Sequence, residues 1–402
     1  MFTMYVPPAE DEKNYDKTLW ETTSHGYDKD KMEEAVHFAL VHEFDGHREG
    51  EDVEAYLYRG GMTSKNEGIY ANIVGPTKVR GGVSGMVLIN GRIAAEWGDT
   101  YRPDMTFSCT KSYLSTVASF AWKDGLLRAT PDGIHVDDER GLDDSVLASE
   151  RRHCGDIRPE HEANEEITWR QLLQQTSEWR GVLWSKPDVV DHNRNVGGNT
   201  PNMAAGDRNA KKGEARPYRA PGTYWEYNDV RVNRLSLALM RVLGQPLPGV
   251  LREKIMGPIG CSSTTWDWHG YSTSWEKLSP SGVWAKGVSG GGHWGGGLHI
   301  STRDHARFGL LLARGGKWGD KQLIPDGWVA RATQPCTLNE EYGFMWWLPK
   351  TSNTMLPRTS FMARGAGGNF IFIDPAADVV VVARWCSDRD GLLKRVMDAL
   401  TL

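Results

Sequence analysis

Strand-forming segments stand near both ends of this chain and are sparse between them, which constrains the kind of sheet it can build. Toward the start, Met86-Val87-Leu88-Ile89 and Arg92-Ile93-Ala94-Ala95-Glu96-Trp97 flank Asn90-Gly91. That dipeptide tolerates positive φ at both positions and so closes a two-residue hairpin. Far downstream come the runs Gly343 to Leu348, Asn369 to Ile373 and Val379 to Trp385, with an Asp374-Pro375 turn between the last two. Strands joined by hairpins are antiparallel neighbours. Between the two groups, helical periodicity appears at Trp169 to Gln175 and Val230 to Leu243, separated by Gly/Pro/Asn-rich loops, notably 185–223. Further helices are expected over Met32 to Glu43, 109–122, Ala306 to Ala313 behind a Ser301 cap, and Leu392 to Leu400. The expected fold class is α/β (α+β): an antiparallel sheet flanked by helices, built from both chain ends, with an inserted mostly α-helical domain. The division that follows is an N-terminal arm over 1–31, an α/β domain from 32–124 and 283–402, and a mostly helical domain with long loops over 125–282.

Charge and composition exclude several function classes. The 47 Lys and Arg against 52 Asp and Glu give a formal charge of −5, and no basic face is evident, so no nucleic acid partner is expected. The longest apolar runs, such as Val379-Val380-Val381-Val382-Ala383, are strand-sized, so no membrane partner is expected either. The N-terminus turns acidic at Glu10-Asp11-Glu12 without the basic start and apolar run of a secretory leader. The 5 cysteines are scattered and form no CxxC pair. A cytoplasmic location is the expectation. No metal is expected, since His37, His42 and His47 fall five apart and no HExxH occurs. No cofactor is expected either, because the glycine clusters lack a βαβ setting. Gly287-Val288-Ser289-Gly290-Gly291 matches G-x-S-x-G, but no histidine follows His305 to complete that kind of triad.

The sharpest chemical feature is Ser108-Cys109-Thr110-Lys111, three residues apart and so on one face of a helix. A serine attacks only once a base takes its proton, and a partly desolvated lysine can help to activate it. The apolar stripe Leu114, Val117, Ala118, Ala121 and Trp122 makes this helix a buried element. A second copy, Ser274 to Lys277, has no such stripe and reads as surface loop. Two partners suit Ser108. Tyr227, at a turn entering an apolar helix, offers a phenol for general base and acid work, although a core aromatic would look the same. The glycine-rich edge Arg364-Gly365-Ala366-Gly367-Gly368 would let a carbonyl approach backbone N–H groups, although taken alone it reads as a bulge. His293, Trp294, Trp179 and Trp184 are candidates for the walls of a small-molecule cleft.

Ser108-x-x-Lys111, Tyr227-Asn228-Asp229 and Arg364-Gly365-Ala366, in that order, resemble the penicillin-recognising serine hydrolase superfamily on its class C β-lactamase side. Within it the chain is most similar to the 6-aminohexanoate-dimer hydrolase and family VIII carboxylesterase group. The resemblance implies a β-lactamase/transpeptidase-like fold with the site between an α/β domain and a helical one. It implies Ser108 as acylated nucleophile, Lys111 as activating partner, Tyr227 as general base and acid, and the backbone N–H groups of Ser108 and Ala366 as oxyanion hole. Asp229, Trp184, Trp179, His293, Trp294, Arg364 and Gly365 are the implied substrate-side candidates. Two positions depart from the family pattern: Ala363-Arg364-Gly365 replaces Lys-Thr-Gly, and Asp229 replaces asparagine. Both favour a serine hydrolase cleaving a small-molecule ester or amide over a true β-lactamase or D-Ala-D-Ala peptidase. An acyltransferase using the same acyl-enzyme, or a non-catalytic binding protein on this scaffold, are the alternatives.

Overall fold

The computed structural model describes residues 21–46, 49–54, 57, 65–130, 139, 141–194, 196, 211–279, 281–350 and 355–401. Most of the expected arm over 1–31, much of the loop 185–223, and His47 therefore lie outside the described residues.

Five strands form the main sheet in the order Phe361–Gly365, Asn369–Asp374, Val379–Arg384, Ser84–Ile89, Arg92–Trp97, every neighbour antiparallel. The two chain ends join where Ser84 faces Arg384 and Ile89 faces Val379. The Asn90-Gly91 turn has both residues at positive φ (51° and 73°), as a hairpin of this twist requires. Ser84–Ile89, Asn369–Asp374 and Val379–Arg384 are buried along their whole lengths, which explains runs with no polar alternation. Helices cover the sheet: Thr302–Ala313 packs on its central strands, and Lys29–Val41 pairs with Arg389–Ala399 beside the Arg92–Trp97 edge. Lys29–Val41 begins ahead of the expected Met32 because Asp28 caps it, accepting from the Asp30 and Lys31 amides at 3.0 and 3.2 Å.

The helix Thr110–Lys123 is buried from Thr110 to Trp122 and packs against Asp229–Leu243. That second helix also meets Val146–Cys154 and Trp169–Leu173, the latter opened by a capping box between Thr168 and Gln171. The stretch 125–282 also holds strands. Trp266–His269 pairs with Gly297–Ile300, which pairs in turn with Asp104–Met105 and so ties this stretch to the α/β part.

Two local expectations are corrected. Residues 343–348 are not a strand but a tight turn: Met345 takes φ 61°, the Gly343 amide donates to Trp346 O at 2.9 Å, and only isolated bridges form at Trp347. The continuous apolar run there sends its rings to separate parts of the core instead of one sheet face. The second Ser-x-x-Lys is not loop but the strand Trp275–Lys277 of a hairpin with Trp284–Lys286. Its Ser274 is buried and donates to backbone carbonyls while Lys277 is exposed, so the two do not meet. Among the described residues, no helix is long and apolar enough to cross a membrane.

Candidate active site

The chain enters the helix Thr110–Lys123 through a strained turn. Phe107 adopts φ 48°, left-handed for a non-glycine residue, and Phe107–Cys109 form a 3-10 turn running into Thr110–Lys123. Gly291 presses on this turn at φ 80°, where an added Cβ would lie 2.0 Å from Phe107 O. Ser108 and Lys111 then stand one turn apart, and the Lys111 ammonium donates to Ser108 Oγ at 2.8 Å.

Lys111 has two more partners. It donates to Gly290 O at 3.2 Å, a carbonyl held in place because the Gly290 amide binds Asn233 Oδ1 at 2.9 Å. It also forms an ion pair with Asp229 Oδ1 at 2.7 Å. Burial pulls its pKa below the ordinary lysine value, and Asp229 opposes that fall. Asp229 opens its helix behind the Asn228 cap, which accepts from the Val230 and Arg231 amides. Burial alone would raise the Asp229 carboxyl, but Arg194, Lys111 and His293 hold it well below the usual carboxylate range.

Tyr227, two residues before Asp229, is buried with its phenol beside Ser108. Burial and Asp229 push its phenol above the ordinary tyrosine value, while Arg194 and the Ser108 contact pull it back. Two cations lie over its ring, Lys111 Nζ at 5.0 Å and the Arg194 guanidinium at 5.2 Å from the centroid. Trp347 stacks on the ring at 5.8 Å, and the Arg364 guanidinium covers Trp347 at 4.6 Å. Burial and Arg389 lower Arg364 to about 10.

The strand Phe361–Gly365 ends against the serine turn. A Cβ on Gly365 would come 2.2 Å from Thr106 O and 3.3 Å from the Cys109 amide. Only glycine permits that approach.

Six acidic and basic side chains alternate in a closed ring beyond Asp229. Asp229 meets Arg194 at 2.6 Å, Arg194 meets Asp191 at 3.3 Å, and Asp191 meets Lys212 at 3.4 Å. Lys212 pairs with Glu67, and His293 closes the circuit at 3.1 Å from both Glu67 and Asp229. Burial would raise Glu67, but His293 and Lys212 lower it to about 2. Asp191, Asp229 and His293 bring ligand-type atoms within 4.8 Å of one another. Arg194, Lys212 and Lys111 already face those carboxylates, so a metal cation would compete with three fixed positive charges.

The structure thus gathers Ser108, Lys111, Tyr227, Asp229 and His293 and sets Gly365 against them. Trp294 lies behind His293, its indole donating to Glu67 Oε2 at 3.0 Å. Trp179 donates to Glu160 Oε2 at 3.2 Å, and Trp184 packs edge-on to Tyr271 at 6.1 Å; neither has a described interaction with Ser108, Lys111 or Tyr227. Arg194, Glu67, Asp191, Lys212 and Trp347 escape the sequence reading, because each sits in loop or short-turn sequence with no periodicity or motif to mark it.

A family model described as Beta-lactamase matches residues 67–391. No curated protein matches the chain by sequence. Among solved structures, a proposed 6-aminohexanoate-dimer hydrolase from Bacillus anthracis is 16% identical, with a TM-score of 0.50 over 78% of this chain and 76% of that one. EstCE1, described as a hydrolase with promiscuous acyltransferase activity, is 19% identical with a TM-score of 0.50, covering 85% of this chain and 97% of its own. A penicillin-binding protein homolog from Caulobacter crescentus is 16% identical with a TM-score of 0.51, covering 84% and 94%.

Proposed function

This chain belongs to the beta-lactamase family, and from that premise we propose that it is a serine hydrolase cleaving a small ester or amide through an acyl-enzyme on Ser108. The observation that carries the reading is the Lys111 ammonium donating to Ser108 Oγ at 2.8 Å, with the buried Tyr227 phenol beside the same serine. The ammonium donates to the serine oxygen, which leaves the serine proton directed at Tyr227. As the phenolate, Tyr227 accepts that proton while Oγ bonds to the substrate carbonyl carbon. The oxyanion then faces the backbone N–H groups of Ser108 and Ala366. Tyr227 returns the proton to the departing alkoxide or amine, and the acyl group stays on Ser108. A water, deprotonated by Tyr227, attacks the ester and releases the acid.

The surroundings favour an ester or amide over a β-lactam. Where the resemblance expects an asparagine amide, Asp229 presents a carboxylate already committed to Lys111, Arg194 and His293, with no N–H to offer a substrate. The test is labelling with a fluorophosphonate probe and peptide mass mapping. An adduct on Ser108, absent in Ser108→Ala, is expected; active protein with no adduct there would refute the assignment.

A further inference from the structure

We propose that Arg194 is a positioning residue for acylation: it holds the Asp229 carboxylate against Lys111 and lays its own charge over the Tyr227 ring, preparing Tyr227 to take the proton of Ser108. This inference rests on the reading of Tyr227 as the base. Its own evidence is the geometry of a side chain that carries no motif.

Arg194 follows the 3-10 helix Asp188–Asp191, and the chain turns back at Asn193, whose φ is 58°. Asparagine tolerates that conformation. The Asn193 side chain anchors the turn by donating to Glu214 O at 2.7 Å, and its amide binds Glu226 Oε1 at 3.1 Å. The Arg194 guanidinium is thereby brought to Asp229 Oδ2 at 2.6 Å, to both Asp191 oxygens at 3.3 Å, and over Tyr227 at 5.2 Å. One guanidinium nitrogen, Nη1, reaches both carboxylates while the planar group presents its face to the ring, a face an ammonium lacks.

The groups facing Tyr227 explain why this contact matters. Ser108, Cys109 and Lys111 approach from the nucleophile turn and helix, Tyr342 from the 343–348 turn, and Arg364 from beyond Trp347. Asp229, on Tyr227's own segment, is the carboxylate among them. Burial and Asp229 both oppose a phenolate. Arg194 offsets the second directly, by neutralising Asp229, and adds its own attraction through the ring face. Removing it would leave Asp229 with a larger uncompensated field at both Tyr227 and Lys111.

The test is the pH dependence of kcat/KM for p-nitrophenyl acetate in the wild type, Arg194→Gln and Arg194→Lys, with the rate of fluorophosphonate labelling of Ser108 as a second readout of acylation. In Arg194→Gln the rising limb should move toward higher pH by about one unit, which below the raised phenol value is roughly a tenfold loss of kcat/KM and of labelling rate along the limb. Arg194→Lys should move it in the same direction by less. No change, a change confined to KM, or a loss in Arg194→Gln that Arg194→Lys does not lessen would overturn the proposal. If Arg194→Gln does not fold, Arg194→Lys decides, and a wild-type profile there also overturns it. Failure of wild-type Ser108 to label would instead sink the serine hydrolase reading. Labelled wild type with unshifted variants removes only the role of Arg194.

Discussion

Asp229 Oδ1 lies 2.7 Å from Lys111 Nζ, so the lysine beside Ser108 is held by a full negative charge, not by a neutral amide. The carboxylate favours the protonated forms of both Lys111 and Tyr227. Replacing it with an amide should therefore ease loss of a proton from either group. We expect Asp229→Asn to shift the rising limb of kcat/KM toward lower pH, opposite in sign to Arg194→Gln. It should also destabilise the fold by about 3 kcal/mol, since Arg194 and Lys111 lose a buried partner. A pH profile and a denaturant titration on the same variant check both halves.

Tyr227→Phe keeps the ring that stacks on Trp347 and deletes only the hydroxyl. Its stability should stay near that of the wild type, while kcat falls by about 10²- to 10⁴-fold. A thermal melt run beside the kinetics separates a chemical role from a packing one. A variant that melts normally and turns over normally would exclude Tyr227 as the base.

The raised phenol of Tyr227 fixes the direction of the wild-type profile. The base form is the phenolate, so kcat/KM should climb as pH rises above neutrality. An activity that peaks in the acid range would point to a different base. Buffers spanning neutral to alkaline pH with one neutral ester suffice.

Gly365→Ala would place a methyl 2.2 Å from Thr106 O. Either the end of the strand Phe361–Gly365 or the serine turn must move, disturbing the proposed oxyanion hole of Ser108 and Ala366. A loss of kcat of about 10²-fold is expected with little change in KM, as for loss of an oxyanion donor. Overpacking should cost about 1–3 kcal/mol of stability, read by denaturant titration.

Glu67 has its carboxyl lowered from 4.5 to about 2 by His293 and Lys212 once burial is overcome. A depressed carboxyl contributes stability above its unfolded value and loses it as pH falls through the folded one. The wild type should therefore weaken between pH 4.5 and about 2, and Glu67→Gln should show less of that dependence. At neutral pH the variant should be less stable by about 3 kcal/mol, because Lys212 and His293 lose a buried partner. Chemical denaturation at several pH values tests the sign.

Much of the sheet was legible because its signals are local. The Asn90-Gly91 turn and the apolar runs at 369–373 and 379–385 need no tertiary information to be read. Ser108, Lys111 and Tyr227 were legible for a related reason: a helix fixes the first pair, and an ordered set of motifs marks the third. Residues 343–348 misled because a continuous apolar run does not reveal a left-handed Met345. Arg194, Glu67 and Lys212 lie far apart in sequence, and their charges read as ordinary solvated loop residues. Only the folded chain shows that they neutralise one another, with little exposure to water.

The closed ring through Asp229, Arg194, Asp191, Lys212, Glu67 and His293 has a consequence for how such a site can change over generations. Within the ring each acid touches two bases and each base two acids, so a single neutral substitution strands charge on both sides of the gap. Viable sequences should then be reached in paired steps. A descendant that returned position 229 to asparagine would be expected to surrender the arginine at 194 as well, and the departure from the family pattern would be inherited or lost as a unit.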